Sequence, residues 1–291
     1  MGFRALDEIL TISKESNKPF WRVILENDME ERLVSEEESL KKMQQLYLTM
    51  KEADKAYDEK LISSSGLVGG DGAKMEQAVI EGKVLGGNFI GVVIAKALKM
   101  GESNACMKKI VAAPTAGSCG VIPAVLISYE EQYGISIQKM IKAMYVASGI
   151  GEVIAARAFL SGAAGGCQAE IGSASAMAAG ALAYLNGGDE DSIAHAAAMA
   201  LKNLMGLVCD TVGGLVEVPC VKRNVVGAVN AIASADMAVA GIRSQIPPDE
   251  VIDAMREVGE SLPKTLRETG EGGLAATPTG REIKKKIFGY S

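Results

Sequence analysis

A chain of 291 residues with 48% hydrophobic but only 4% aromatic content must build its interior from Ala, Val, Ile, Leu and Met, and is long enough for a large core. A net charge of −6 carries no nucleic-acid footprint, and charges interrupt MGFRALDEIL before it could form the apolar run of a leader. The apolar stretches, broken by Gly, Ser and Ala, fall short of a membrane span, and five cysteines without a secretory pattern fit a reducing compartment, so a soluble cytoplasmic protein is expected.

Residues 1–60 predict an amphipathic helical segment on the outside of the molecule. Leu40, Met43, Leu46, Tyr47 and Met50 recur every three or four positions, with Glu and Lys between them. The character changes at Leu61, where a second helical unit, 61–291, begins; the two are expected to form one compact domain. LISSSGLVGGDGAKM must be loop or turn. A flexible linker is the plain reading, but Leu67, Val68 and Lys74 are unusual in a linker, which points to a loop that touches a ligand.

Helical patterning dominates from Glu76 onward. APTAGSCGVIPAVL, 113–126, reads as a turn feeding a helix, with Thr115 or Ser118 as cap and Pro123 early in the helix. Free N–H groups there could hold a carboxylate. Ser136 caps a helix carrying Ile137, Met140, Ile141 and Met144 on one face, with Gly149 as its stop. IAARAFLSGAAGG and SASAMAAGALAYL suit buried helices crossing at close range. Another helix runs from about Asp191 to Met205, and one more follows Pro247–Pro248. LVEVP, 215–219, is the best strand candidate. With no internal repeat and no G-x-G-x-x-G after a strand, an all-α fold is expected: an Ala/Gly-rich helical domain with a cluster-binding loop region.

Three cysteines stand out: Cys167 in GGCQAEIG, Cys209 in GLVCDTVGG and Cys220 in EVPCVKRN. Each lies among small residues with a carboxylate or carboxamide close by, a setting in which thiolates bind soft metals or iron–sulfur clusters. Ten residues containing Gly213, Gly214 and Pro219 separate Cys209 from Cys220, a turn-rich excursion able to return one sulfur beside the other. Zinc-finger and ferredoxin spacings are absent. Cys106 reads as an ordinary small hydrophobe, and Cys119 is ambiguous. Spacing alone leaves a possible metal site. The only histidine, His195, sits in an Ala-rich helix and reads as structural, although histidine is the usual general base.

Taken together, APTAGSCGVIPAVL, GGCQAEIGSASAMAAGAL, MGLVCD, GLVEVPCVKRN and GGLAATPTG closely resemble the iron–sulfur-dependent bacterial L-serine dehydratases, in particular the alpha chain of the two-subunit form. The likeness extends from about Ser63 to Gly280. It implies a mostly helical lyase carrying a [4Fe–4S] cluster on Cys167, Cys209 and Cys220, and acting on L-serine. A beta chain would complete the enzyme and could supply the base, within an oligomer. Ser65, Gly66, Thr115, Gly117 and Arg223 are the candidates for the substrate carboxylate, Arg223 because guanidinium meets carboxylate in a bidentate fork. Two departures stand out: Thr211 follows Cys209–Asp210 where proline is more usual, and the chain ends FGYS where single-chain relatives can end in a cysteine.

Alternatives from other classes are an iron–sulfur cysteine desulfidase on the same scaffold, a pyridoxal-phosphate dehydratase, and a non-catalytic cluster protein. The second would need an α/β fold and a Schiff-base lysine. The third would be expected to use a fourth cysteine, for which Cys119 is available.

Overall fold

A computed structural model describes residues 2–289; Met1 and the last two residues of the FGYS ending, Tyr290 and Ser291, lie outside them. Thirteen α-helices and no strand are found among the described residues: α1 (Leu6–Ser16), α2 (Phe20–Arg32), α3 (Glu36–Lys55), α4 (Asp71–Ile80), α5 (Gly87–Ala105), α6 (Val121–Tyr133), α7 (Ile137–Arg157), the single turn α8 (Gly162–Gly165), α9 (Ser173–Leu185), α10 (Glu190–Asn203), α11 (Cys220–Val239), α12 (Pro248–Ser261) and α13 (Pro278–Phe288). The fold is all-α, and among the described residues no helix is long and apolar enough to cross a membrane.

Helix α9 is the axis. It packs against α6, α7, α10 and α11, and all but one of its residues, Tyr184, are buried. Its composition makes this feasible. Small side chains let neighbouring helices approach until a Cβ on Gly180 would collide with Ile150 of α7. The continuous core reaches from Phe3 to Met255. The N-terminal helices join it: Tyr47 and Met50 of α3 are fully buried, and α2 lies on α7.

Several local expectations hold. The Ser136 hydroxyl accepts from the Lys139 N–H at 3.4 Å at the start of α7. The helix expected from about Asp191 to Met205 is α10, Glu190–Asn203, with Asp189 before it accepting from Ser192 N–H at 2.8 Å, and Pro248 opens α12. Others are corrected. Gly149 does not stop α7, which runs on to Arg157; the missing Cβ instead admits Ile24 and Phe20 of α2. LVEVP is no strand but the turn that delivers the chain into α11. Neither Thr115 nor Ser118 caps α6. Gly120 takes that position, and its N–H donates to the side chain of Asn224 at 2.8 Å, so the cap comes from α11.

Candidate active site

Four segments converge on one corner of the bundle. The first precedes α9. Gly166 adopts φ 76°, and the chain then enters a π-helical turn, Gln168–Gly172, that continues directly into α9. Such widened turns recur at functional sites because they re-aim side chains without ending the helix. Here the turn directly follows Cys167 and contains Glu170. Gln168 anchors it: fully buried, its amide donates to Met255 O at 3.1 Å and accepts from Gly206 N–H at 2.8 Å.

The second segment carries Cys209 in extended conformation, joined to Arg267 by an isolated parallel bridge. The Cys209 N–H donates to Leu266 O, and the Cys209 carbonyl accepts from Glu268 N–H, both at 2.8 Å. Asp210 fixes the same stretch: its carboxylate accepts from Leu274 N–H at 2.9 Å and from Arg223 Nη2 at 2.8 Å. Thr211 sits at φ −60° and ψ 127°, angles a proline also adopts. Its buried hydroxyl has no partner.

The third segment begins α11 with Cys220. One turn later, Asn224 donates to Cys220 O at 3.0 Å and to Gly117 O at 2.8 Å, locking α11 to the fourth segment, the Thr115–Gly117 turn. From that turn Thr115 Oγ1 donates to Glu170 at 2.8 Å, and a Cβ on Gly117 would meet the same carboxylate at 3.0 Å. The turn does meet a carboxylate, one of the chain's own, but through the Thr115 hydroxyl and not through the free N–H groups expected.

Cys167, Cys209 and Cys220 are 2%, 1% and 5% exposed, and none is in a disulfide. Each thiol lies near enough for its charge to be felt by the others. Burial pushes all three upward, Cys167 to about 12 although the neighbouring Arg223 favours its thiolate. Left alone, these thiols are protonated, and a bound metal would have to deprotonate them. Cys167 immediately precedes a helix and Cys220 begins one, so two of the three meet the positive ends of helix dipoles. Glu170 is also pushed up by burial, countered by its bonds from Thr115 and the Gly162 N–H, with Glu268 adding to the upward push.

No set of three or more His, Cys, Asp or Glu among the described residues is arranged around a single metal ion. A cluster asks for something else, since its thiolates bind separate irons and stand apart. The corner fits that requirement on two counts, three buried, mutually interacting thiols and helix N-termini behind two of them, and it packs closely on Gly162. A Cβ there would come to 2.9 Å of Cys209 Sγ and 3.0 Å of Glu170 Oε2.

Thr115, Gly117 and Arg223, three of the five substrate candidates, lie at this corner. Arg223 is already engaged, by Asp210 and by Val208 O at 2.7 Å. Ser65 and Gly66 stand further out. The Ser65 hydroxyl donates to Glu217, which also accepts from Ser63 at 2.8 Å, and the Gly66 N–H donates to Ser63 O at 2.8 Å. His195 has other neighbours: its Nδ1 accepts from Ser244 N–H at 3.3 Å, and the charges it feels are Arg243, Asp191, Asp189 and Lys202. Cys119 is buried with its thiol on Met100 O at 3.7 Å, and Cys106 ends α5. A wider cleft of about 550 Å³ opens between α1 and the start of α10, but no cysteine lines it.

Glu170, Asp210, Asn224 and Glu268 went unrecognised in sequence. The first three lie within four residues of a cysteine, which is a usable signal. Glu268 has none, because only the Cys209–Arg267 bridge brings it here.

Residues 15–275 match the family described as "Serine dehydratase alpha chain". The chain is 48% identical over 287 residues to the "Probable L-serine dehydratase, alpha chain" of Bacillus subtilis (strain 168), covering 99% of this chain and 96% of that protein. It is 41% identical over 282 residues to the "L-serine dehydratase, alpha chain" of Peptoniphilus asaccharolyticus, covering 97% of each. Against the "L-serine dehydratase" of Streptomyces coelicolor it is 34% identical over 280 residues, covering 94% of this chain but 60% of that longer protein.

Proposed function

The chain belongs to the serine dehydratase alpha-chain family, and on that premise we propose that it is a cytoplasmic lyase that removes water from L-serine to give pyruvate and ammonia. The observation that carries the reading is the meeting of Cys167, Cys209 and Cys220 in one buried corner, all unpaired. We assign to them a [4Fe–4S] cluster. When bound, that cluster supplies a Lewis-acidic iron left open by three protein ligands, against which a β-hydroxyl becomes a workable leaving group.

The chain's own residues prepare the site. Arg223 favours the Cys167 thiolate and ties Asp210 to α11, holding two ligand segments in register. The N–H groups of the Thr115–Gly117 turn receive the substrate carboxylate, and Arg223, already held by Asp210 and Val208 O, adds positive charge to the corner and not a free fork. Ser65 and Gly66 act from one step out, keeping the loop closed over Glu217. Loss of the α-proton and of hydroxide leaves aminoacrylate, which hydrolyses to the two products.

The base is assigned to a beta chain. His195 faces a different set of partners, and a base must come within hydrogen-bond reach of its proton. The longer Streptomyces relative has room for such a portion within one chain.

The test is anaerobic reconstitution with iron and sulfide, followed by pyruvate release from L-serine with and without a beta chain. Pyruvate is expected, with the beta chain raising the rate by roughly the 10²–10⁴-fold typical of a positioned base. Sulfide release from cysteine in place of pyruvate from serine would overturn the assignment in favour of a desulfidase.

A further inference from the structure

At the far end of α9 from the cysteines, a cavity of about 200 Å³ opens between the C-terminal turn of α9 and helices α5, α6 and α11. The body of α9 separates it from the turn that carries Glu170, a length of roughly 20 Å at 1.5 Å per residue. Aromatic side chains make up only 4% of this chain, yet Phe89 of α5 and Tyr129 and Tyr133 of α6 all line this one space. The ring centroids of Phe89 and Tyr133 are 6.0 Å apart and those of Tyr129 and Tyr133 4.6 Å, so the three rings form a continuous wall.

Across from that wall stands Asp236 of α11, at the exposed rim of the cavity. Its carboxylate has no hydrogen-bond or ion-pair partner among the described residues, although its charge reaches Tyr129. Burial pushes this carboxyl above its ordinary value, and no Lys, Arg or His lines the cavity to draw it back. The hydroxyls of Tyr129 and Tyr133 are also without partners among the described residues.

This lining selects both the charge and the kind of ligand. Aromatic faces attract cations, most strongly where water is kept away. An anion would be repelled by Asp236, and an uncharged apolar molecule would cover that carboxylate without answering it. A divalent metal ion takes about six oxygen ligands and finds here one carboxylate and the Asn186 amide. Ile232 and its apolar neighbours suit a cation clothed in carbon. The volume is below the roughly 300–1,000 Å³ of sites for drug-sized ligands, so the occupant is small.

We propose that this cavity is a second ligand site, which binds a small alkylammonium ion against the wall of Phe89, Tyr129 and Tyr133 and pairs it with Asp236. The site shares no residue with the cysteine corner and stands whether or not the chain acts on serine.

The test uses choline and neohexyl alcohol, in which a carbon replaces the quaternary nitrogen, so that the two have the same shape and differ in charge. Each is titrated calorimetrically into the full chain at constant ionic strength. Choline is expected to bind at least about ten-fold more tightly than the alcohol, the ratio that a desolvated cation–π contact supports. Asp236→Asn and Tyr133→Leu should each weaken choline by about ten-fold, and Asp236→Asn should leave the alcohol unchanged. Both positions are exposed, and an unaltered urea midpoint in each variant reports an intact fold.

Equal binding of the two compounds by the unsubstituted chain, or no binding of choline, would overturn the inference without any variant having to fold. Displacement of choline by an equal concentration of potassium chloride would overturn it too, since the site would then take any cation. Choline binding that survives both substitutions would place the cation elsewhere on the chain and remove the assignment.

Discussion

From Ser173 to Leu185 the side chains of α9 are small, nearly all apolar and almost all buried, whereas the turn just before it carries Cys167 and Glu170 amid other charged groups. The two regions are continuous in chain and opposite in construction. The body of α9 gains its stability from close approach, in which every methyl that fits adds contact and every extra one collides. The stretch before it instead sets a buried thiol, Cys167, close to Glu170, a carboxylate that only neutral donors bind. The rigid part supports the strained part: Gln168 hangs the turn from α12 and the α10–Cys209 connection through bonds that involve no reacting group.

The largest expected effect tests the ligand side of this division. Cys167→Ser, Cys209→Ser and Cys220→Ser should each abolish both the brown absorbance of a reconstituted cluster and pyruvate release, because hard hydroxyl oxygen is a poor substitute for thiolate. Cys119→Ala, equally buried but bonded to Met100 O, should keep both. A coloured, active Cys209→Ser protein would remove the assignment.

On the packing side, Gly180→Val should lower stability by about 1–3 kcal/mol through collision with Ile150 and Ile193, measured by urea unfolding. Iron bound per folded chain should not change. If stability held and iron fell instead, the two regions would not be separable in the way described.

A smaller effect, of opposite sign, is expected between them. Thr211→Pro should raise stability by about 0.4–1 kcal/mol, since the backbone angle already suits proline and an unpartnered buried hydroxyl is removed. Destabilisation would mean that the Thr211 side chain contributes through an interaction with the loaded site.

The smallest effect concerns His195. Burial, with Arg243 assisting, lowers its pKa below the ordinary 6.5, so the folded protein binds this proton less readily than the unfolded chain. Its contribution is complete above pH 6.5 and is lost as pH falls through the depressed value. Melting temperatures of the wild type and of His195→Gln should therefore run parallel above that pH, and the wild type should lose ground below it. Pyruvate formation in the complemented enzyme should be little changed; its abolition would return the base to this chain.

Local chemistry was the most legible part of the sequence. The caps at Ser136 and Pro248, the buried helix of SASAMAAGALAYL and the three cysteine segments could be read directly, because each depends on neighbours in the chain, whereas IAARAFLSGAAGG, expected as another buried helix, is the end of α7, an irregular stretch and the single turn α8, with Ala155, Ala156, Ser161 and Ala163 exposed. Gly149 was misread because a glycine serves equally as a helix stop and as a place for another helix to approach, and only Ile24 decides between them. LVEVP has strand composition but no partner strand, so it became the turn into α11. Thr115 looked like a cap and was taken instead by Glu170, which arrives from another segment through a π-helical turn. Glu268 was invisible for the same reason, being brought in by a bridge that no periodicity announces.

That bridge has a consequence for biosynthesis. A ribosome releases all three cysteines before it has made Leu266 and Glu268, whose backbone groups hold Cys209 extended. A nascent chain thus exposes its sulfurs before it owns the frame that aims one of them. If the three thiols hold the proposed cluster, its delivery would wait for the segment around Arg267 to emerge and dock, and whatever donates iron and sulfide would meet a nearly finished protein. A chain stopped after α12 would carry every thiol and still load poorly.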